Sequence, residues 1–254
     1  MNAIEFARGL ALPEQTIAAL EAIDVTAPPL DPSVELSQYD GLTILRIFLE
    51  WIPELQKKYA ALGIPETVFR DNLKDVTIWA QDYWEKHHVP GFAEWEWVSN
   101  SFFLKVFRIG RLQFEPSRLD ADAPGYPAGT TVLEVHIPAC EPLDERAVAE
   151  AMAAAPGFFR RHFGLEFPIF RCHSWLLCPK LKEILPASSR IIRFQDLFTV
   201  YGEDNERQAE ERVFGAPLED PRLYPEGTSL QRAMKCALLE GKTFGMGMGI
   251  RKIP

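Results

Sequence analysis

Apolar residues recur at helical spacing through the first part of the chain and at alternate positions through much of the rest, so a helical part precedes a sheet-bearing part. Pro13 to Ile23 reads as a short amphipathic helix, and the proline-rich VTAPPLDPSVELSQ that follows cannot propagate one. Leu42, Leu45, Phe48, Leu49, Ile52, Leu55, Tyr59 and Leu62 then repeat on one helical face, with Pro53 expected to kink or divide the helix and Gly63 to stop it. Pro65 opens the next helix, whose face is Val68, Phe69, Leu73, Val76, Ala80 and Tyr83, with Trp79 and Trp84 alongside. A third helix, Phe92 to Phe103, carries Trp95, Val98 and Phe102. Aromatic residues at this spacing predict a helical core rather than a cofactor site.

From Ile109 the period shortens to two. In IGRLQFEP, Ile109, Arg111 and Gln113 alternate with Gly110, Leu112 and Phe114, as in a strand with one wet and one dry face. A polar loop, Ser117 to Gly129, leads to TVLEVHIPACEPLDERAVAEAMAAA, a strand through Val132, Leu133, Val135 and Ile137. Pro138 to Pro142 break it, and Asp144 caps a helix with Ala147, Val148, Ala151, Met152 and Ala155 on one face, which Pro156 and Gly157 are expected to end. Pro168 to Leu177 is the next strand, with Arg171, His173 and Trp175 to one side and Cys172, Ser174 and Leu176 to the other. A helix at Ala187 to Leu197, a strand near Thr199 to Tyr201, a charged helix at Glu203 to Arg212 and a helix at Ser229 to Glu240 lead to the last strand, TFGMGMGI. There Gly245, Gly247 and Gly249 share one face, so something approaches that bare backbone closely, and a packed aromatic ring or helix is favoured over a ligand.

The fold class is therefore α/β in the mixed (α+β) sense. A mainly helical domain that ends in a strand is expected over residues 1–128, and a mixed sheet flanked by helices over 129–254. Function belongs at the strand ends of the second part.

Composition narrows the partners more than the fold. With 254 residues, 47% hydrophobic and 25% charged, the chain can bury one large core or two modest ones. A net charge of −9 excludes a protein held to nucleic acid by phosphate contacts over a basic face. No run approaches the roughly 20 apolar residues of a membrane span, and MNAIEFARGL lacks the features of a signal peptide, so a cytoplasmic protein is expected. Cys140, Cys172, Cys178 and Cys236 are too few and too irregular for a disulfide framework and are expected as free thiols. With His136 and His173 they supply zinc-ligand types, but no CxxC pair exists, so no metal is assigned.

Glu134 and His136, two residues apart on a strand, leave the same face, and a carboxylate beside an imidazole suits a general base near neutral pH. His173, flanked by Arg171 and Trp175 and followed by Ser174, is the second candidate; if the two strands are neighbours, both histidines line one cleft. Outer polar face and satisfied core histidine are the competing structural roles. Neither GxGxxG nor GxxxxGK[ST] follows a strand.

The strings IGRLQFE, VLEVHIPACEPL, CHSWLLCPKLKEIL, SSRIIRFQDLF and GMGMGI carry a resemblance that covers most of the chain beyond Leu42. In them the chain resembles bacterial two-domain proteins classed as acyltransferases, with a helical N-terminal domain and a C-terminal domain like that of the GCN5-related N-acetyltransferases (GNAT). The resemblance implies that Val132 to Pro138 is the central strand, Ala139 to Asp144 the pyrophosphate loop, and Pro168 to Leu177 the splayed strand. Ile137, Ala139 and Cys140 become the expected contacts to coenzyme A. By the same match Phe194 stands where many relatives have a tyrosine acid, and the loop lacks the signature [QR]-x-x-G-x-[GA].

What the resemblance implies is an acyl-CoA-dependent N-acyltransferase, acetyltransferase-like, acting on a small-molecule amine. His136 would take the proton from the amine, Glu134 would orient it, and His173 or Tyr201 would protonate the departing thiolate. Arg111, Gln113, Ser174 and Trp175 are expected to wall the substrate. A non-catalytic module binding a small ligand or partner in the same cleft is the alternative, and a zinc hydrolase using both histidines a third. A homodimer is compatible with the sequence; nucleic acid and membrane are not expected partners.

Overall fold

The computed structural model describes residues 2–139 and 141–254. Contacts divide the chain into two compact units, Met1–Gln113 with Pro138–Glu141 and Phe158–Gly164, and Phe114–Ile137 with Pro142–Gly157 and Leu165–Pro254.

The first unit holds helices α1 (Ala3–Gly9), α2 (Glu14–Ala22), α3 (Gly41–Ala61), α4 (Glu66–His87) and α5 (Trp95–Phe102). Helix α1 is an addition to the sequence reading; Asn2 and Glu5 form a capping box that starts it. Asp40 starts α3 by accepting the Leu42 and Thr43 amides, and Pro53 lies inside that one element without dividing it. Burial of Phe48, Leu49, Trp51, Ile52 and Leu55 around Pro53 outweighs the missing amide. Phe48 is the hub of the core: its ring lies 4.7 to 5.4 Å from those of Trp51, Phe92 and Phe102.

The six strands among the described residues are β1 (Phe107–Ile109), β2 (Leu112–Arg118), β3 (Thr131–His136), β4 (Ile169–Ser174), β5 (Thr199–Glu203) and β6 (Gly247–Lys252), in the sheet order β1-β2-β3-β4-β6-β5. IGRLQFEP is two strands rather than one, because Gly110 takes a φ of +63° and turns the chain. Its expected wet face is dry as well, since Arg111 and Gln113 are buried.

Strand β3 runs parallel to β4, and β6 is antiparallel to both β4 and β5. Between β3 and β4 lies α6 (Glu145–Phe163), started by Asp144, whose Oδ1 accepts the Ala147 amide. Pro156 and Gly157 do not end it; the helix continues to Phe163 and Gly164 turns the chain with φ +67°. Helices α7 (Leu181–Ile184), α8 (Arg190–Gln195), α9 (Gln208–Phe214) and α10 (Ser229–Leu239) complete the second unit. The charged helix thus begins later than the sequence pattern suggested.

Strand β4 stops at Ser174, and Trp175–Leu177 form a 3₁₀ turn. Trp175 is therefore not on the strand face of Arg171 and His173. That turn packs on the glycine face of β6: a Cβ on Gly247 would lie 2.1 Å from the Leu177 carbonyl oxygen, and one on Gly249 2.8 Å from Leu177 Cδ1 and 2.9 Å from Phe198 Cβ. The bare face of TFGMGMGI is filled by the chain itself.

Candidate functional site

The ladder between β3 and β4 pairs Val132, Leu133 and Glu134 with Ile169, Phe170 and Arg171, and ends there. Strand β3 continues to His136 and β4 to Ser174. Over that continuation β4 stays paired with β6, through His173 with Met248 and Ser174 with Gly247. The two parallel strands part while β4 keeps its other neighbour. Where a ladder ends between two extended strands, an elongated polar ligand can supply the missing hydrogen bonds.

A histidine stands on each strand beyond the last rung, and each meets a carboxylate from elsewhere in the sheet, His136 from the adjacent β2 and His173 from the end of β5, one strand beyond β6. His136 Nε2 lies 3.1 Å from Glu115 Oε2 on β2, with the side chains 30% and 31% exposed. His173 Nε2 lies 2.7 Å from Asp204 Oδ2, just after β5, with the side chains 31% and 29% exposed. Both imidazoles thus meet a carboxylate at Nε2 and remain partly exposed to solvent. A carboxylate at Nε2 fixes the ring's orientation, an arrangement suited to proton transfer by a histidine.

Asp204 is itself anchored: its Oδ1 accepts the Glu206 amide at 2.9 Å and the Met246 amide at 3.1 Å. Burial raises its pKa, but the two amides and His173 outweigh that, and the carboxyl is held below the usual range. Neither Glu115 nor Asp204 was singled out from the sequence. Glu115 shares a strand face with Gln113, a signal of side but not of partner.

Glu134 does share a face with His136, yet it serves a different neighbour. Its Oε1 lies 2.7 Å from Arg171 Nε, the residue directly opposite in the ladder, and Arg171 Nη1 reaches Asp120 Oδ1 at 2.7 Å. The contacts pair His136 with Glu115 and Glu134 with Arg171, while the charge of His136 still acts on Glu134. Burial pushes the Glu134 carboxyl up, against the opposing charges of Arg171 and His136. Tyr201 packs beside Leu119, Ala123, Val132, Ile169 and Ile250 at the closed end of this face. Burial raises its phenol pKa, with Arg171 opposing, so the hydroxyl stays a proton donor.

The remaining candidates are dispersed. Ser174 is buried and caps the 3₁₀ turn, its Oγ accepting the Leu176 amide at 3.2 Å. Trp175 packs against the cluster of Cys178, Leu181, Ile192 and Met234. Ile137 is half-buried and Ala139 exposed beyond β3, and Cys140 lies outside the described residues. Arg111 and Gln113 belong to a buried polar network of the first unit: Arg111 Nη2 donates to the Glu141 carbonyl at 2.6 Å, Gln113 Nε2 to Asp75 Oδ2 at 2.6 Å, and Arg108 Nη2 lies 2.7 Å from Glu141 Oε1. Phe194 is buried against Phe198, with ring centroids 5.4 Å apart.

Among the described residues, no group of three or more His, Cys, Asp or Glu side chains is placed to hold a metal ion, and no helix is long and apolar enough to cross a membrane.

The GNAT-like C-terminal domain family matches residues 106–251, and the N-acyltransferase N-terminal domain family matches residues 14–104. No curated protein matches the chain. Among solved structures, an acyltransferase variant in complex with octanoyl-CoA is similar at a TM-score of 0.82 and 23% identity, over 99% of this chain and 88% of that one. An acyltransferase in complex with decanoyl-CoA and teicoplanin is similar at a TM-score of 0.81 and 24% identity, over the same shares. At such identity the likeness establishes a common fold.

Proposed function

Because this chain belongs to the family of proteins that join an N-acyltransferase N-terminal domain to a GNAT-like C-terminal domain, we propose that it is an acyl-CoA-dependent N-acyltransferase acting on a small-molecule amine. The observation that carries the reading is the parting of β3 and β4 between two histidine–carboxylate pairs, His136–Glu115 and His173–Asp204. The extended amide-bearing arm of an acyl-CoA fits such an opening, with its thioester near the two imidazoles. Similar structures hold octanoyl-CoA or decanoyl-CoA, and one also holds teicoplanin, which supports an acyl thioester as donor and a small molecule as acceptor.

In this reading His136 takes a proton from the attacking amine while Glu115 holds the ring in place. The amine nitrogen forms a bond to the thioester carbonyl, the carbon–sulfur bond breaks, and His173 returns a proton to the thiolate, with Tyr201 as the second donor. Ile137 and Ala139 are the proposed coenzyme contacts on the chain leaving β3. Calorimetry with acetyl-, octanoyl- and decanoyl-CoA, followed by assay of free thiol release with amine acceptors, tests the reading. Binding by none of the three thioesters would sink it.

One observation favours a non-catalytic binding module in the same opening: Phe194, buried against Phe198, offers no hydroxyl where many relatives carry an acid. Turnover abolished by His136→Ala in a folded protein excludes that alternative.

A further inference from the structure

Gly245 and Asp204 meet main chain to main chain at the entry to β6. A Cβ on Gly245 would lie 1.8 Å from the Asp204 carbonyl oxygen and 2.8 Å from its carbonyl carbon. No side-chain rotamer relieves that clash, so glycine at 245 sets how near residue 204 comes to β6. Main-chain hydrogen bonds complete the seat: the Asp204 amide donates to the Met246 carbonyl at 3.0 Å, and Asp204 Oδ1 accepts the Met246 and Glu206 amides. With Oδ1 committed to main chain, Oδ2 faces His173 Nε2 at 2.7 Å.

An ionised carboxylate only accepts hydrogen bonds, so the imidazole nitrogen beside it must carry the proton. We infer that Asp204 is a positioning residue that commits His173 to work through Nδ1, and that Gly245 is the residue whose missing side chain makes this seat possible. The functional half of the inference rests on the acyl transfer proposed above; the tautomer is a property of the resting protein. In the transfer step the Nδ1–H bond of imidazolium breaks as the S–H bond of coenzyme A forms, leaving neutral imidazole with its proton on Nε2.

Asp204→Asn gives an opposite and readable result. The asparagine Oδ1 retains both amides, and its NH₂ group then faces His173 Nε2, which must accept, so the neutral ring carries its proton on Nδ1 instead. Nitrogen-15 spectra of histidine-labelled protein are expected to show the Nε2–H tautomer for His173 in the wild type and the Nδ1–H tautomer in Asp204→Asn. The same variant is expected to lose about 10²-fold or more in kcat, with KM for the acyl-CoA within about twofold. Gly245→Ala, which displaces the seat without touching the carboxylate, is expected to mix the two tautomers and to lower kcat by about tenfold or more.

An Nδ1–H tautomer in the wild type, a tautomer unmoved by Asp204→Asn, or an active Asp204→Asn with unchanged kcat overturns the inference. A wild type with the expected tautomer but without turnover of any acyl-CoA overturns the transferase reading and the functional half, while the seat stands.

Discussion

Glu134 and Arg171 face each other across the last rung of the β3–β4 ladder, joined at 2.7 Å with side chains only 9% and 18% exposed. Removing one partner leaves a charge in the sheet face, so Glu134→Ala is expected to destabilise the protein by about 3 kcal/mol. Glu134→Gln, which keeps a polar side chain of the same shape beside Arg171, costs less. The raised carboxyl adds a pH dependence: the folded protein holds its proton at a pH where the unfolded chain has lost it. Stability from this group is therefore complete below the ordinary glutamate range and is lost as pH rises through the higher folded value. Urea unfolding at a series of pH values rising from the ordinary glutamate range is expected to show this falling contribution in the wild type and its disappearance in Glu134→Gln.

His136 and Glu115 are half-exposed, so replacing them tests chemistry with little change in stability. His136→Ala is expected to lower kcat by about 10²-fold or more, and Glu115→Gln by about tenfold. Both are expected to keep unfolding free energies within about 0.5 kcal/mol of the wild type. Steady-state thiol release alongside denaturant titration measures both quantities.

Two glycines are expected to respond to alanine with opposite signs. At Gly247 the new Cβ would press on the Leu177 carbonyl at 2.1 Å, and a loss of about 3 kcal/mol is expected. Gly157 lies inside α6 with nothing within 4 Å of its Cβ position, and Gly157→Ala is expected to add about 0.5–1 kcal/mol by helix propensity alone. Paired urea curves decide the signs.

Cysteine reactivity follows burial. Cys236 is exposed, whereas Cys172 and Cys178 are buried. Burial pushes the Cys172 thiol up, and burial together with the Glu203 carboxylate pushes Cys178 up to about 11. A short pulse of iodoacetamide on native protein is expected to mark Cys236 and to spare Cys172 and Cys178 until denaturant is added, with peptide mass mapping as the readout.

Much of the strand–loop–helix–strand order is legible from residue types alone. Val132, Leu133 and Val135 are strand formers, Asp144 is a cap, and the alternate glycines of β6 demand close contact. Partnerships are less so. That Glu134 and His136 share a face follows from period two, but which cation Glu134 meets depends on the register that sets Arg171 opposite it. Glu115 reaches His136 from the neighbouring β2 and Asp204 reaches His173 from the end of β5, across β6, and no spacing within one segment records that. Pro53 and Pro156 look like stops because a missing amide is visible in the sequence, while the burial that outweighs it is not.

Strand β6, the last of the sheet to be synthesised, is inserted between β4 and β5 rather than added at an edge. While a nascent chain lacks it, β5 has no partner strand and β4 shows an open edge. The Met246 amide that anchors Asp204 arrives with the same segment. During translation the His173–Asp204 pair is therefore assembled at the final step of sheet closure, and it cannot form before the sheet is complete.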